Sequence, residues 1–271
     1  MSSAAVNSLL GRLVSDPIFL GNFPEEKYVV AAMPQFSAAE KRDILNLDVA
    51  SLWGFSSLVV KVQNNFLWEV LPCTRLMLRG LKLDSDVFGQ FASLHCQMKK
   101  ARESKTVRIE RFLGFLADYI HEREAELLPL QAVFSHERTL YEIRNAPNVS
   151  CSRVYTKTRP KIDSRIAPVG QFRIRFFPCD PLPLIACGFR LSSKLPKIDW
   201  SETSVLYWKA SGKTAPRIFQ IPPALGRVLD AATVSSGTLQ SCCEGRTDIV
   251  VDDVVPSVAS LQRLGIITVA A

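Results

Sequence analysis

The hydrophobic positions of this 271-residue chain change period near residue 145. Before it, they recur three and four apart. Leu9, Leu10, Leu13 and Val14 outline a short amphipathic helix that stops at Asp16-Pro17, because the residue before a proline disfavours helical backbone. Ser37, with Glu40 three residues later, reads as a capping box that starts the next helix. From there to Leu71 the chain is apolar with few breakers, through Leu45, Val49, Leu52, Trp53, Leu58, Val59, Val62, Phe66 and Leu67. Pro72 interrupts it. Ser85 or Asp86 starts a helix holding Val87, Phe88, Phe91 and Leu94, and Thr106 another with Ile109, Phe112, Leu113, Leu116 and Ile120. A last helix runs from about Leu127 to Arg144.

After a proline-containing, basic stretch at 145–168, read as a linker or domain entry, short runs with strand character follow. They span 171–177, 184–191, 204–210 and 217–221, divided by Pro178, Asp180-Pro181 and Ser211-Gly212. Pro222-Pro223 ends the strands and opens three short helices, about 223–232, 238–244 and 252–264. Asp252 and Asp253 stand in the first turn of the last, where the helix dipole favours acids. Gly265 ends it, and 266–269 reads as one more strand. The pattern predicts an α+β fold: a helical domain over 1–150, then a small winged-helix-like domain over 151–271, a sheet with three short helices.

Composition adds a core and a charge asymmetry. Hydrophobic residues make up 47% and charged residues 22%, enough to fold and too apolar for disorder. Residues 1–150 hold 17 Lys/Arg and 17 Asp/Glu, whereas 153–217 hold 13 against 4. All of the excess positive charge sits in that one segment, which favours an acidic partner, either nucleic acid or an acidic peptide. No run of about 18 apolar residues is present, and MSSAAVNSLLGRL lacks a basic segment followed by an apolar one, so neither a membrane span nor a secretory signal is expected. Seven cysteines without repeated spacing read as reduced thiols, which points to the cytosol.

Motifs for catalysis are missing. His95 adjoins Cys96, but no second His/Cys pair lies at zinc spacing. His121 stands beside Glu122 and Glu124, and His136 on an apolar helix; both read as structural or surface residues. Cys242-Cys243 is an adjacent pair and not Cys-x-x-Cys. There is no glycine-rich phosphate loop and no GxSxG elbow. The expectation is a non-catalytic chain with no metal or other cofactor of its own.

Two stretches carry a family resemblance. Within 49–145, NNFLWEVLPCTRLMLRG, FGQFASLHCQM, VRIERFLGFLADYI and LLPLQAVFSHERTLYEI resemble, in that order, the helical domain of a family long labelled "putative DNA-binding". Its members (the HvfC/MbnC/TglI group) are partner proteins of multinuclear non-heme iron-dependent oxidative enzymes, which modify cysteines in ribosomally made precursor peptides. Within 217–267, RIFQIPPALGRVLDAA, GTLQSCC and DDVVPSVASLQRLGII resemble the end of a PqqD-type peptide-recognition element. Together they cover a little over half the chain. Length and domain pairing come nearest to the branch acting in 3-thiaglutamate biosynthesis. The resemblance implies a cytoplasmic, non-catalytic subunit that binds the leader of a precursor peptide and presents its cysteine to a TIM-barrel iron enzyme, as a heterodimer. Iron and oxygen chemistry would belong to that partner.

An element of this type holds its leader by strand addition beside its last helix. Here the expected edge is Arg217, Ile218, Phe219, Gln220 and Ile221, with Arg217, Phe219 and Ile221 on one face. On the helix, Val254, Val255, Val258, Leu261 and Leu264 form an apolar stripe, of which Val254 and Val258 are the expected peptide contacts. The rival reading is a winged-helix transcriptional regulator that binds DNA. The basic segment favours it. The helix DDVVPSVASLQRL disfavours it, with two acids at its start and only Gln262 and Arg263 at its end to read bases.

Overall fold

Ser3 accepts a hydrogen bond from the Val6 N–H and starts the first helix, α1 (Ala4–Ser15). A computed structural model describes residues 3–97, 104–147, 159–186, 198–211, 213, 215–234, 237–247 and 249–270. The side chains of His95 and Cys96, and the parts of the basic segment at 153–158 and 187–197, lie outside the described residues. The fold is α+β, and its packing divides the chain into two units, Met1–Glu124 and Ala125–Ala271.

The first unit is helical among the described residues. After α1 come α2 (Pro17–Ala32), α3 (Ala38–Leu45), α4 (Val49–Asn64), a 3-10 turn (Asn65–Glu69), α5 (Pro72–Gly80), α6 (Asp84–Gln97) and α7 (Lys105–His121). The capping box at Ser37 forms: Glu40 accepts from the Ser37 N–H at 2.9 Å, and Ser37 Oγ from the Glu40 N–H at 3.4 Å. Helix α2 has no counterpart in the sequence reading, because two prolines and apolar residues scattered around its axis hide its period. Asp16-Pro17 is both the stop of α1 and the start of α2: the Asp16 carboxylate accepts from the Phe19 N–H at 3.0 Å and Pro17 takes the first helical position. One core gathers Leu9, Leu13, Leu20, Phe23, Phe36 and Ile44. Rings meet edge-on elsewhere, Trp68 and Phe91 each packing against Phe112 with centroids 5.1 and 5.0 Å away.

The second unit joins α8 (Glu124–Asn145) to β1 (Arg165–Pro168), β2 (Gln171–Phe177), α9 (Pro181–Ala186), β3 (Thr203–Lys209), β4 (Arg217–Ile221), α10 (Pro223–Val234), α11 (Leu239–Cys243), α12 (Val251–Arg263) and β5 (Ile267–Ala270). The packing thus divides the chain earlier than its change of hydrophobic period does. Two antiparallel sheets form, β2-β3-β4 and the pair β1-β5. Strand β1 falls inside the stretch read as a linker. The run at 184–191, read as a strand, instead begins in helix α9: Asp180 Oδ1 accepts from the Leu182 N–H at 2.9 Å and Pro181 sits at the first helical position. Residues 187–191 lie outside the described residues.

Central strand β3 is buried along its whole length, so both sheet faces are covered. Leu206 and Trp208 point into a core with Leu225, Val228, Val258 and Leu261 from α10 and α12. Tyr207 and Lys209 point the other way, onto α8: the Tyr207 hydroxyl meets His136 Nδ1 at 2.7 Å, and Lys209 Nζ donates to the Arg144 and Ala146 carbonyls at 3.0 and 3.2 Å. Helix α10 approaches the sheet closely at Gly226, where a Cβ would stand 2.8 Å from Ser204 Oγ and 3.1 Å from Phe176 Cε1. Helix α12 ends as expected at Gly265, whose positive φ of 71° lets the Ile266 N–H reach the Leu261 carbonyl at 3.0 Å.

Candidate peptide-binding edge

The register of β4 against β3 fixes which side chains share a face. Ile221, Phe219 and Arg217 stand opposite Ser204, Leu206 and Trp208; Gln220 and Ile218 stand opposite Val205 and Tyr207. Alternation therefore runs as the sequence predicts. Ile221 is buried and locked by Ser204 Oγ, which donates to its carbonyl at 2.8 Å. Phe219 is half-buried against the α10–α12 core. Arg217, Ile218 and Gln220 are exposed, and the Arg217 guanidinium lies 5.8 Å from the Trp208 ring. Trp208 is itself fixed, its indole N–H donating to the Val169 carbonyl at 2.7 Å.

Strand β4 ends the sheet order: it pairs with β3 on one side and, among the described residues, with no strand on the other. An edge of this kind presents a row of backbone donors and acceptors to an incoming strand. On α12 the two named positions, Val254 and Val258, are only 3% and 0% exposed and belong to the core. On that helix Val251 and Val255 are half-buried and pack against the same core as Phe219. Apolar periodicity located this stripe but not its outer margin, and Val251 stands outside the stripe read from sequence. Asp252 and Asp253 are exposed in the first turn of α12, and Val250 before it is exposed as well.

Around this sheet Arg173, Lys213 and Arg217 are exposed, so positive charge extends to the edge. The titratable groups behind it are set for packing. Burial holds the His136 imidazole down at about 4, against the ordinary 6.5, so it is neutral at pH 7. Burial likewise pushes up the hydroxyl of Tyr207 and the thiols of Cys179, Cys242 and Cys243, leaving them protonated and weakly nucleophilic. Among the described residues no three His, Cys, Asp or Glu side chains converge into a set that would hold a metal ion. Among them, too, no single helix is long and apolar enough to cross a membrane. The chain matches no family model and no curated protein.

Proposed function

We propose that this protein is a peptide-recognition subunit: β4 accepts an extended segment of an acidic precursor-peptide leader as an added strand, and Phe219, Val251 and Val255 receive its apolar side chains. The observation that carries the reading is the edge position of β4 with its exposed Arg217, together with half-buried valines of α12 that pack against the same core as Phe219. Magnitudes decide how the work is shared. A micromolar complex needs about 8 kcal/mol. Exposed charge pairs contribute roughly 0.2–1 kcal/mol each and weaken with salt. The basic residues therefore tune affinity and encounter rate, while strand pairing and an aromatic anchor supply most of the binding. The exposed acids Asp252 and Asp253 at the start of α12 disfavour a DNA backbone there.

The family resemblance extends the reading. The chain acts without catalysing, as a cytoplasmic subunit that presents the peptide's cysteine to a TIM-barrel multinuclear iron enzyme; 3-thiaglutamate is the favoured product class. Co-expression with such an enzyme should give a stable 1:1 complex by size exclusion with light scattering. Independent elution of the two chains at micromolar concentration would refute the partnership.

The edge is tested by fluorescence polarisation with a labelled acidic leader peptide at two salt concentrations. Arg217→Glu should weaken binding modestly and flatten its salt dependence. Phe219→Pro should do more harm, since it removes a backbone donor and an anchor, provided circular dichroism shows the sheet intact. A folded Phe219→Pro variant that binds as wild type places the peptide elsewhere. A salt-sensitive gel shift with random duplex DNA, at an affinity above that for the peptide, would favour the regulator reading instead.

A further inference from the structure

The first unit holds a cleft that peptide recognition on β4 leaves unused. It lies along α1, α2 and the turn that follows α2, and has a volume of about 540 Å³. Phe19, Val30 and Phe36 form part of its wall. So do Ile18, Val29 and Met33, which remain 47%, 68% and 40% exposed. A largely apolar cleft with a few convergent polar groups is the usual form of a ligand site.

Of the polar residues that line it, Asp16 is fully buried although it is an acid. One oxygen is satisfied: Oδ1 accepts from the Phe19 N–H at 3.0 Å and from Ser93 Oγ at 2.6 Å. The other, Oδ2, is buried and meets no hydrogen-bond donor among the described residues. Arg12 Nε stands 3.9 Å from it, within ion-pair range but beyond a hydrogen bond. The Arg12 guanidinium lies instead over the Phe19 ring, 3.9 Å from its centroid. An ion pair at that distance offsets charge and leaves the lone pairs of Oδ2 unmatched, which is costly for a buried carboxylate. Among the described residues, the charged side chains lining the cleft are Arg12, Asp16 and Glu26, a net charge of one negative.

We propose that this cleft receives a lysine side chain presented by an apolar segment of a partner polypeptide, its ammonium donating to Asp16 Oδ2. The net negative lining asks for a cation. The apolar walls ask for an apolar stem, and lysine has both. A second guanidinium would compete with Arg12 for the Phe19 face. A free amine would leave Ile18, Val29 and Met33 uncovered, whereas neighbouring apolar residues of a polypeptide cover them. Entry requires that the half-exposed Arg12 side chain move aside. None of these residues belongs to β4 or α12, so this site and the peptide edge fail or stand separately.

The test is calorimetric titration of the full chain with acetyl-Leu-Lys-Leu-amide, against the same tripeptide carrying norleucine or glutamate at the centre, and against n-hexylammonium. The lysine peptide should bind saturably at one site, about tenfold or more tighter than the norleucine peptide, as fits one charge-assisted hydrogen bond. The glutamate peptide should not bind. Asp16→Asn keeps the helix cap, since asparagine caps as well as aspartate, and should abolish the preference for lysine. Val29→Ser, on the exposed wall and remote from any cap, should weaken binding several-fold in a folded protein and serves if Asp16→Asn does not fold. Equal binding of the lysine and norleucine peptides, no binding of the lysine peptide, or a lysine preference that survives Asp16→Asn overturns the proposal. Tighter binding of n-hexylammonium than of the tripeptide also overturns it, and assigns the cleft to a free amine.

Discussion

Nδ1 of His136 on α8 lies 2.7 Å from the hydroxyl of Tyr207 on β3, and both side chains are buried. The pair closes the sheet face turned away from α10–α12, with ring centroids 5.3 Å apart. Desolvation lowers the folded-state value of His136 to about 4, while Asp180 pulls it up and Arg144 pushes it down to smaller extents. The unfolded chain therefore binds more protons than the folded one between about 6.5 and 4. Stability from this site is fully present above pH 6.5 and is lost as pH falls through that window, on the order of 3 kcal/mol in all. Urea titrations at pH 7 and pH 4.5 should show wild type losing more stability than His136→Gln over the same interval. Parallel losses in the two proteins would count against it.

Lys209 is a cation only 6% exposed at the end of β3. Its ammonium satisfies two carbonyls at the C-terminus of α8, Arg144 and Ala146, where the helix dipole is negative. Lys209→Met keeps the apolar stem and strands both acceptors. It should cost about 1–3 kcal/mol by chemical denaturation, with amide exchange rising first in the last turn of α8. An unchanged midpoint would mean that water replaces the ammonium without loss.

Gly226 sits inside a helix, where alanine would ordinarily stabilise by about 0.5–1 kcal/mol. Here the added methyl meets Ser204 Oγ at 2.8 Å, and that hydroxyl is committed to the Ile221 carbonyl. Gly226→Ala should therefore destabilise, by about 1–3 kcal/mol, through overpacking between α10 and the sheet. A raised Tm would show that the helix shifts freely.

Two valines of α12 separate packing from recognition. Val258→Asp buries a carboxylate among Leu225, Val228 and Leu261 and should unfold the second unit. Val255→Asp places the charge on a half-buried margin, beside a groove proposed to take an acidic peptide. It should retain the fold and weaken peptide binding about tenfold or more, read by circular dichroism and fluorescence polarisation together. A folded Val255→Asp variant with wild-type affinity removes α12 from the binding surface.

The elements around the proposed edge were legible because their signals are local. Alternation marks β4, Pro222-Pro223 ends it, and Gly265 stops α12. Ser37 and Glu40 announce α3 in the same way, through bonds to their own neighbours. Tertiary structure alone decided the rest. Hydrophobic periodicity says that a face is buried but not against what, so α8 read as part of a helical half although His136, Thr139 and Arg144 meet the sheet. Val254, Val255 and Val258 are equally apolar members of one stripe; Val254 and Val258 are the contacts expected from it, and only packing put those two in the core and Val255 on its margin. Strand order is a non-local choice: β1 pairs with β5 across about a hundred residues, and β4 became an edge because β3 took β2 as its other neighbour. Asp16 shows both levels at once. Asp16-Pro17 is legible as the stop of α1, whereas the burial of Asp16, its bond from Ser93 Oγ 77 positions away and the lack of a donor to Oδ2 among the described residues appear only in the fold.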